Sequence, residues 1–208
     1  MTELEKSTEE VIFDAARIVF IEKGFEGARM QEIALVAGIN KALLHYYYRT
    51  KEKLFNAIFE RVFSLFIPKV VDFMESDTSV TEKISFFIET YIDILLHNPF
   101  IPQFVINELN RNPTHITELL NKHIISTDAF SKFSILLKEE VKKGIIRNIE
   151  PEQLLVNMLA LCIFPFIARP IIQGVFFEND KKRFEAFLQS RKKEVADFMF
   201  NSLIIKYR

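Results

Sequence analysis

Apolar residues recur every three or four positions along almost the whole of this chain, and no stretch alternates apolar with polar residues for long enough to make a persuasive strand. That rhythm is the spacing of one side of an α-helix, so an all-α fold is expected from end to end. Only 5 of the 208 residues are Gly while 49% are hydrophobic, which excludes a disordered or loop-rich chain. The apolar stripes are unusually aromatic, with 22 Phe and no Trp, so ring packing must fill much of the interior.

Local signals set the helix ends. Ser7-Thr8-Glu9-Glu10 reads as a capping box, Ile12, Ala15, Ala16, Val19 and Phe20 follow as one face, and Lys23-Gly24 ends the helix with a left-handed cap. Two short helices are expected over Met30–Ala37 and from Lys41 to about Tyr47, separated by Gly38-Ile39-Asn40. A longer one starts at Lys51 after Thr50 as cap, with Phe55, Ile58, Phe59, Val62, Phe63 and Phe66 on its apolar side. Pro68 falls inside that pattern and leaves two readings open, an articulation point or the end of the helix. Beyond it, helices are expected over about 81–97, 102–111, 115–143, 151–175 and 180–205. Pro99, Pro102, Pro113 and Pro151 stand near their starts, and Gly144 and Gly174 mark two ends. Short side chains pack the elements before Lys51 and long Phe-rich helices follow it. That contrast divides the chain into a domain over 1–50 and a larger one over 51–208.

Several function classes are disfavoured. A net charge of −1 argues against a protein that coats nucleic acid or membranes by bulk charge. The single cysteine, Cys162, cannot form an internal disulfide and reads as a small buried hydrophobe. The polar start of the chain lacks an apolar signal core, and the longest uncharged run, Gln153–Ala168, is shorter than the roughly 20 residues of a membrane span. A cytoplasmic protein is expected. No phosphate-binding Gly loop, nucleophile elbow or HExxH pair occurs, so neither an enzyme nor a bound cofactor is expected. His115 and His123 share a helical face, but two turns put them roughly 12 Å apart, too far for one tetrahedral metal.

The informative segment is Met30–Arg49. Met30, Ile33, Ala34 and Ala37 form one inward stripe, with Ala34 small where a second helix must cross closely. Gly38 falls at a sharp turn, Asn40 can cap the next helix, and Ile39 and Leu44 anchor it. This is the spacing of a helix-turn-helix. Lys41, Ala42, Leu43, His45 and Tyr46 then project outward. From Arg29 to Lys53 there are five basic residues against two acidic, whereas the first 28 residues hold three basic against seven acidic. The positive charge is therefore concentrated where docking on phosphates would need it. Of three consecutive tyrosines, Tyr48 is expected inward and Tyr46 and Tyr47 near the DNA backbone.

Gly24-Phe25-Glu26-Gly27, Met30-Gln31-Glu32-Ile33-Ala34, Ala37-Gly38-Ile39-Asn40-Lys41, Leu44-His45-Tyr46-Tyr47-Tyr48 and Lys51-Glu52-Lys53-Leu54 together resemble the TetR/AcrR family of transcriptional repressors. The resemblance implies a nine-helix, two-domain fold, with a three-helix helix-turn-helix domain ahead of a helical ligand-binding and dimerisation domain. It implies a homodimer built by the two helices nearest the C-terminus, about 151–175 and 180–205. It places Gln31 at a base-reading position, Lys41, Ala42, Leu43, His45 and Tyr46 on the recognition surface, and Tyr47 and Lys51 at phosphate contacts. Two departures stand out. Ala28 and Arg29 replace a usual hydroxyl, so that Arg29 would supply a charged contact, and Leu43 replaces a polar residue, suiting a thymine methyl.

The function implied is a ligand-responsive repressor that binds palindromic operator DNA as a dimer and releases it on binding an effector. The competing reading, motivated by Arg29 and Leu43, is a helical ligand-binding or interaction protein that no longer reads DNA. The candidate effector wall draws on Phe63, Phe66, Phe87, Tyr91, Phe104, Phe133, Asn157 and Phe164, with Phe86, Phe130 and Phe166 beside them. So few polar groups suit a small, mostly apolar molecule.

Overall fold

The computed structural model describes residues 7–121 and 128–204. Among them eleven helices follow in order: α1 (Thr8–Gly27), α2 (Met30–Val36), α3 (Lys41–Tyr47), α4 (Lys51–Glu75), α5 (Val80–His97), α6 (Ile101–Arg111), α7 (Pro113–Leu120), α8 (Ala129–Lys142), α9 (Pro151–Ile167), α10 (Arg169–Phe177) and α11 (Lys181–Leu203). The only β pairing among the described residues is a single bridge between Ile146 and Ile204.

The all-α expectation holds, but nine helices become eleven. The helix expected over 151–175 is two, α9 and α10, bent by 71°. Ala168 leaves helical geometry at ψ 16°, and Pro170 has no N–H to continue the ladder. The helix expected over 115–143 is likewise two, α7 and α8, and His123 lies outside the described residues. Pro68 does not end α4, which runs on to Glu75. The capping box at Ser7 and Glu10 forms as expected, and a second one holds the start of α5 at Ser79 and Glu82. Gly24, at φ +66°, kinks α1 near its end.

Contacts divide the chain into two units. The first comprises Met1–Ser64 and Gln103–Pro113, and the second Leu65–Pro102 and Thr114–Arg208. The division thus differs from the one drawn at Lys51, because the first half of α4 and most of α6 pack with α1–α3. Ring contacts explain it: in the first unit Phe55 lies 5.0 Å from Phe20 and 4.9 Å from Phe104, and Phe59 stacks on Phe104 at 4.5 Å. All four rings are buried.

The second unit has its own core of Ile84, Phe87, Ile88 and Ile92 from α5, Phe133 and Leu137 from α8, Leu154, Met158 and Cys162 from α9, and Val195, Met199 and Leu203 from α11. Lys83 is buried beside it at 2% exposure. Its ammonium donates to the carbonyls of Phe73, Met74 and Ser76 at 3.0, 3.0 and 2.7 Å, which satisfies the bare acceptors at the end of α4. Burial holds the Lys83 pKa below the usual lysine range. No single described helix is long and apolar enough to cross a membrane.

Candidate nucleic-acid interface

Helix α3 is short and depends on its supports. Ile33 and Ala34 of α2 and Leu44 of α3 are buried with Ile12, Ala16 and Val19 of α1 in the core of the first unit. Between α2 and α3 the chain turns at Gly38, whose φ of +66° is strained for any residue with a Cβ. The Ile39 amide reaches back to the Ala34 carbonyl at 3.0 Å, and the Asn40 side chain accepts the Leu43 amide at 2.8 Å. Both halves of the motif are thus closed by local hydrogen bonds, as its spacing suggested.

A surface suited to a major groove projects from that support. Lys41, Ala42, Tyr46 and Tyr47 are exposed, Tyr46 at 81%, and Leu43 and His45 are partly so. The His45 ring pairs through Nδ1 with the carbonyl of Arg49 at 3.1 Å. A carbonyl can only accept, so Nδ1 donates this bond, which ties the ring to the end of the helix. Gln31 and Arg29 are also exposed, flanking the start of α2.

Tyr48 turns inward as expected and is half-buried. Its hydroxyl donates to the Glu9 carboxylate at 2.9 Å, tying the end of α3 to the start of α1, and burial pushes its pKa up to about 12. On the far side, Lys23 pairs with Glu32 and joins α1 to α2.

Lys51 is placed differently from the expectation that it contacts phosphate. Its ammonium donates to the carbonyls of Phe25, Ala28 and Glu26 at 2.7, 3.2 and 3.4 Å, and lies 4.4 Å from the centre of the Phe25 ring. The first turn of α4 is also internally satisfied. The Thr50 hydroxyl accepts the Lys53 amide at 3.2 Å. The Glu52 carboxylate takes its own backbone N–H and the Thr50 hydroxyl, which hold its pKa below the usual range. The exposed cations around the reading helix are Arg29, Lys41, Arg49 and Lys53. Arg49 and Lys53 entered the sequence reading only as local charge, and that count was the signal that could have singled them out.

The candidate effector wall is not one surface. Phe63 and Phe104 belong to the first unit, where both lie against Phe59. Asn157 and Phe164 are exposed on α9, Phe164 at 60%. Phe66, Phe87 and Tyr91 do come together, with ring centres 5.0–5.8 Å apart, and Phe133 is buried in the same core. Elsewhere in the second unit an open groove of about 460 Å³ is lined by Phe73, Phe86, Phe200 and the carboxylates Glu82 and Glu89. Among the described residues no group of His, Cys, Asp and Glu could hold a metal ion.

Known proteins resemble this chain over the segment that carries these residues. The chain is 25% identical over 145 residues to the HTH-type transcriptional repressor NicS of Pseudomonas putida and 28% identical over 145 residues to the HTH-type transcriptional regulator RutR of Escherichia coli. These alignments take in 68% and 69% of this chain and 66%, just under two thirds, of each relative. A probable regulator of Bacillus subtilis, YttP, is 23% identical over 177 residues, 84% of each chain. Among solved structures, a regulator from Clostridium perfringens superposes with a TM-score of 0.70 at 24% identity, over 94% of this chain and 100% of that one. AibR, solved in complex with isovaleryl coenzyme A and operator DNA, gives 0.60 at 20% identity, over 77% and 86%. Residues 12–58 match the family described as bacterial regulatory proteins, tetR family. That match begins where the buried face of α1 begins and ends inside α4, so the segment from α1 to the first half of α4 is similar to the tetR family of bacterial regulatory proteins.

Proposed function

We propose that this protein is a ligand-responsive repressor that binds palindromic operator DNA as a homodimer through α3. The observation that carries the reading is the outward face Lys41, Ala42, Leu43, His45 and Tyr46, held clear of the core while Leu44 on the opposite side is fully buried. Exposed Arg29, Lys41, Arg49 and Lys53 surround it for the phosphates. Arg29 and Leu43, which motivated the reading without DNA recognition, suit this face: a guanidinium for a phosphate and an apolar side chain for a thymine methyl.

Dimerisation is supported by an uncovered apolar strip. Val156 and Phe164 of α9, Ile171, Val175 and Phe176 of α10 and Phe198 of α11 are 59–69% exposed, large apolar side chains left bare on the helices expected to build the dimer. A second copy covering it by two-fold symmetry would present two reading heads to successive major grooves. The effector is a small, mostly apolar molecule held in the second unit. The Phe66, Phe87 and Tyr91 rings touch, so a ligand entering there must part them, and that displacement is how binding would bias the molecule away from DNA. The structural neighbour AibR, whose complex contains both an acyl coenzyme A and operator DNA, supports this pairing of ligand and duplex. Such a regulator works in the cytoplasm.

Selection from a pool of random duplexes tests the reading. The chain should enrich a palindrome with half-sites about one helical turn apart, bound with an affinity that falls by a log–log slope of about −0.9 per phosphate neutralised. Failure to enrich any sequence would overturn it.

A further inference from the structure

We infer that Lys51 is a positioning residue for DNA reading, an internal clamp on the end of α1 that sets where α2 begins and makes no contact with DNA phosphate. The inference rests on the proposed reading of α3 as a DNA-recognition helix. An ammonium has three N–H donors, and those of Lys51 face three carbonyls, Phe25, Ala28 and Glu26, at 2.7–3.4 Å. A phosphate oxygen would have to compete with these carbonyls for them. The adjacent amides are taken as well. Thr50 accepts the Lys53 amide through its side chain at 3.2 Å and the Leu54 amide through its carbonyl at 3.2 Å, and the Glu52 carboxylate takes its own backbone N–H. The first turn of α4 thus already holds its own negative charge.

The clamped carbonyls lie in a telling place. Gly24 at φ +66° breaks the α1 ladder, so the residues after it lack the continuous helical bonding that would otherwise fix them. Ala28 adjoins Arg29, the cap of α2, and Gln31 is the second residue of that helix. Lys51 gathers this loose end from the start of α4, while its position over the Phe25 ring adds a cation–π contact. Lys83 does the same for the far end of α4, with three carbonyl acceptors at 2.7–3.0 Å and an aromatic ring, Phe73, beside it. The geometry is therefore a helix-end seal used twice, and at Lys51 it closes on the carbonyl of Ala28, one residue before the cap of α2.

Salt titration of operator binding by the full-length protein separates this from a phosphate contact. Lys53→Met removes an exposed cation and should lower the slope by about 0.9. Lys51→Met should leave the slope unchanged while operator affinity falls about tenfold, the scale of one lost charge-assisted hydrogen bond. The ratio of operator to random-duplex affinity should fall with it, because Gln31, the base-reading candidate at the start of α2, loses its register. That ratio, measured against active protein, would not move if Lys51 served fold stability alone. Lys51→Arg keeps the charge, but a planar fork cannot converge on three carbonyls, so it too should bind more weakly at unchanged slope. It decides the matter if Lys51→Met does not fold. A slope reduced by about 0.9 in Lys51→Met, or wild-type binding by Lys51→Arg, overturns the inference and leaves the DNA reading intact. Absence of sequence-selective binding by the unaltered protein overturns both.

Discussion

Arg111 holds the carboxylate of Glu108 with two guanidinium N–H groups, Nε to Oε2 at 2.7 Å and Nη2 to Oε1 at 2.8 Å, on the last turn of α6. Glu108 is fully buried, whereas the Arg111 side chain keeps 29% exposure. The same guanidinium covers the Phe25 ring at 3.9 Å and approaches Phe55 at 5.1 Å. One planar cation therefore joins α6 to the end of α1 and the start of α4 within the first unit. A fully buried pair would cost about 3–5 kcal/mol to break, and partial solvation of Arg111 lowers that figure. Arg111→Ala should destabilise the first unit by about 2 kcal/mol, read as a lower urea midpoint at unchanged m-value. A loss under about 0.5 kcal/mol would mark the pair as ordinary surface decoration.

Tyr48 gives the molecule an alkaline limit. Its folded pKa of about 12 lies above the ordinary value of 10, chiefly through burial and then through the Glu9 hydrogen bond. A group raised in this way contributes stability fully below pH 10, and that contribution is lost as pH climbs from 10 to 12. Tyr48→Phe should therefore cost about 1 kcal/mol at neutral pH, the usual value of one hydrogen bond, and the gap to wild type should narrow at pH 11. Urea unfolding of both proteins at the two pH values checks it, and a constant gap would count against the Tyr48–Glu9 link.

Cys162 should be chemically silent in the folded protein. It is 1% exposed in the second core, and burial pushes its pKa up to about 12. At pH 8 its thiolate fraction is about a thousandfold below that of an ordinary thiol, before steric protection is counted. A disulfide reagent followed by absorbance should react only after denaturant is added. Rapid modification of native protein would require the core around α9 to open.

The apolar strip on α9 and α10 predicts an oligomer-breaking change without loss of fold. Phe164 and Phe176 are 60% and 69% exposed, so their replacement removes little internal packing. Phe164→Asp with Phe176→Asp should convert a dimer to a helical monomer in sedimentation velocity, with far-UV circular dichroism retained. A double variant that still sediments as a dimer would place the interface elsewhere.

What the sequence revealed follows the range of the interactions. The capping boxes at Ser7 and Ser79, the turn at Gly38, the Asn40 cap and the inward Leu44 are local devices in which one residue type at one spacing does a recognisable job. Of the capping boxes only the one at Ser7 enters the sequence reading, which starts the helix after Ser79 at about 81, one residue late. Tyr48 was legible by exclusion, since three adjacent tyrosines cannot share one side of a helix. Lys51 was not legible, because a long flexible side chain leaves no trace of which way its ammonium turns. Phe104 was assigned to the effector wall because a helical stripe does not say which core it enters. Its partners Phe55 and Phe59 are more than forty residues away in the chain. The break at Ala168 had a local sign in Pro170, masked by the continuous apolar run on either side of it.

The strip formed by Val156, Phe164, Ile171, Val175 and Phe176 leaves a newly made, solitary copy adhesive. Dilution, which ordinarily protects proteins from clumping, works against such a molecule by delaying the encounter with its twin. Its recovery from a purification should improve when early steps are kept concentrated, and its solubility becomes a property of the pair.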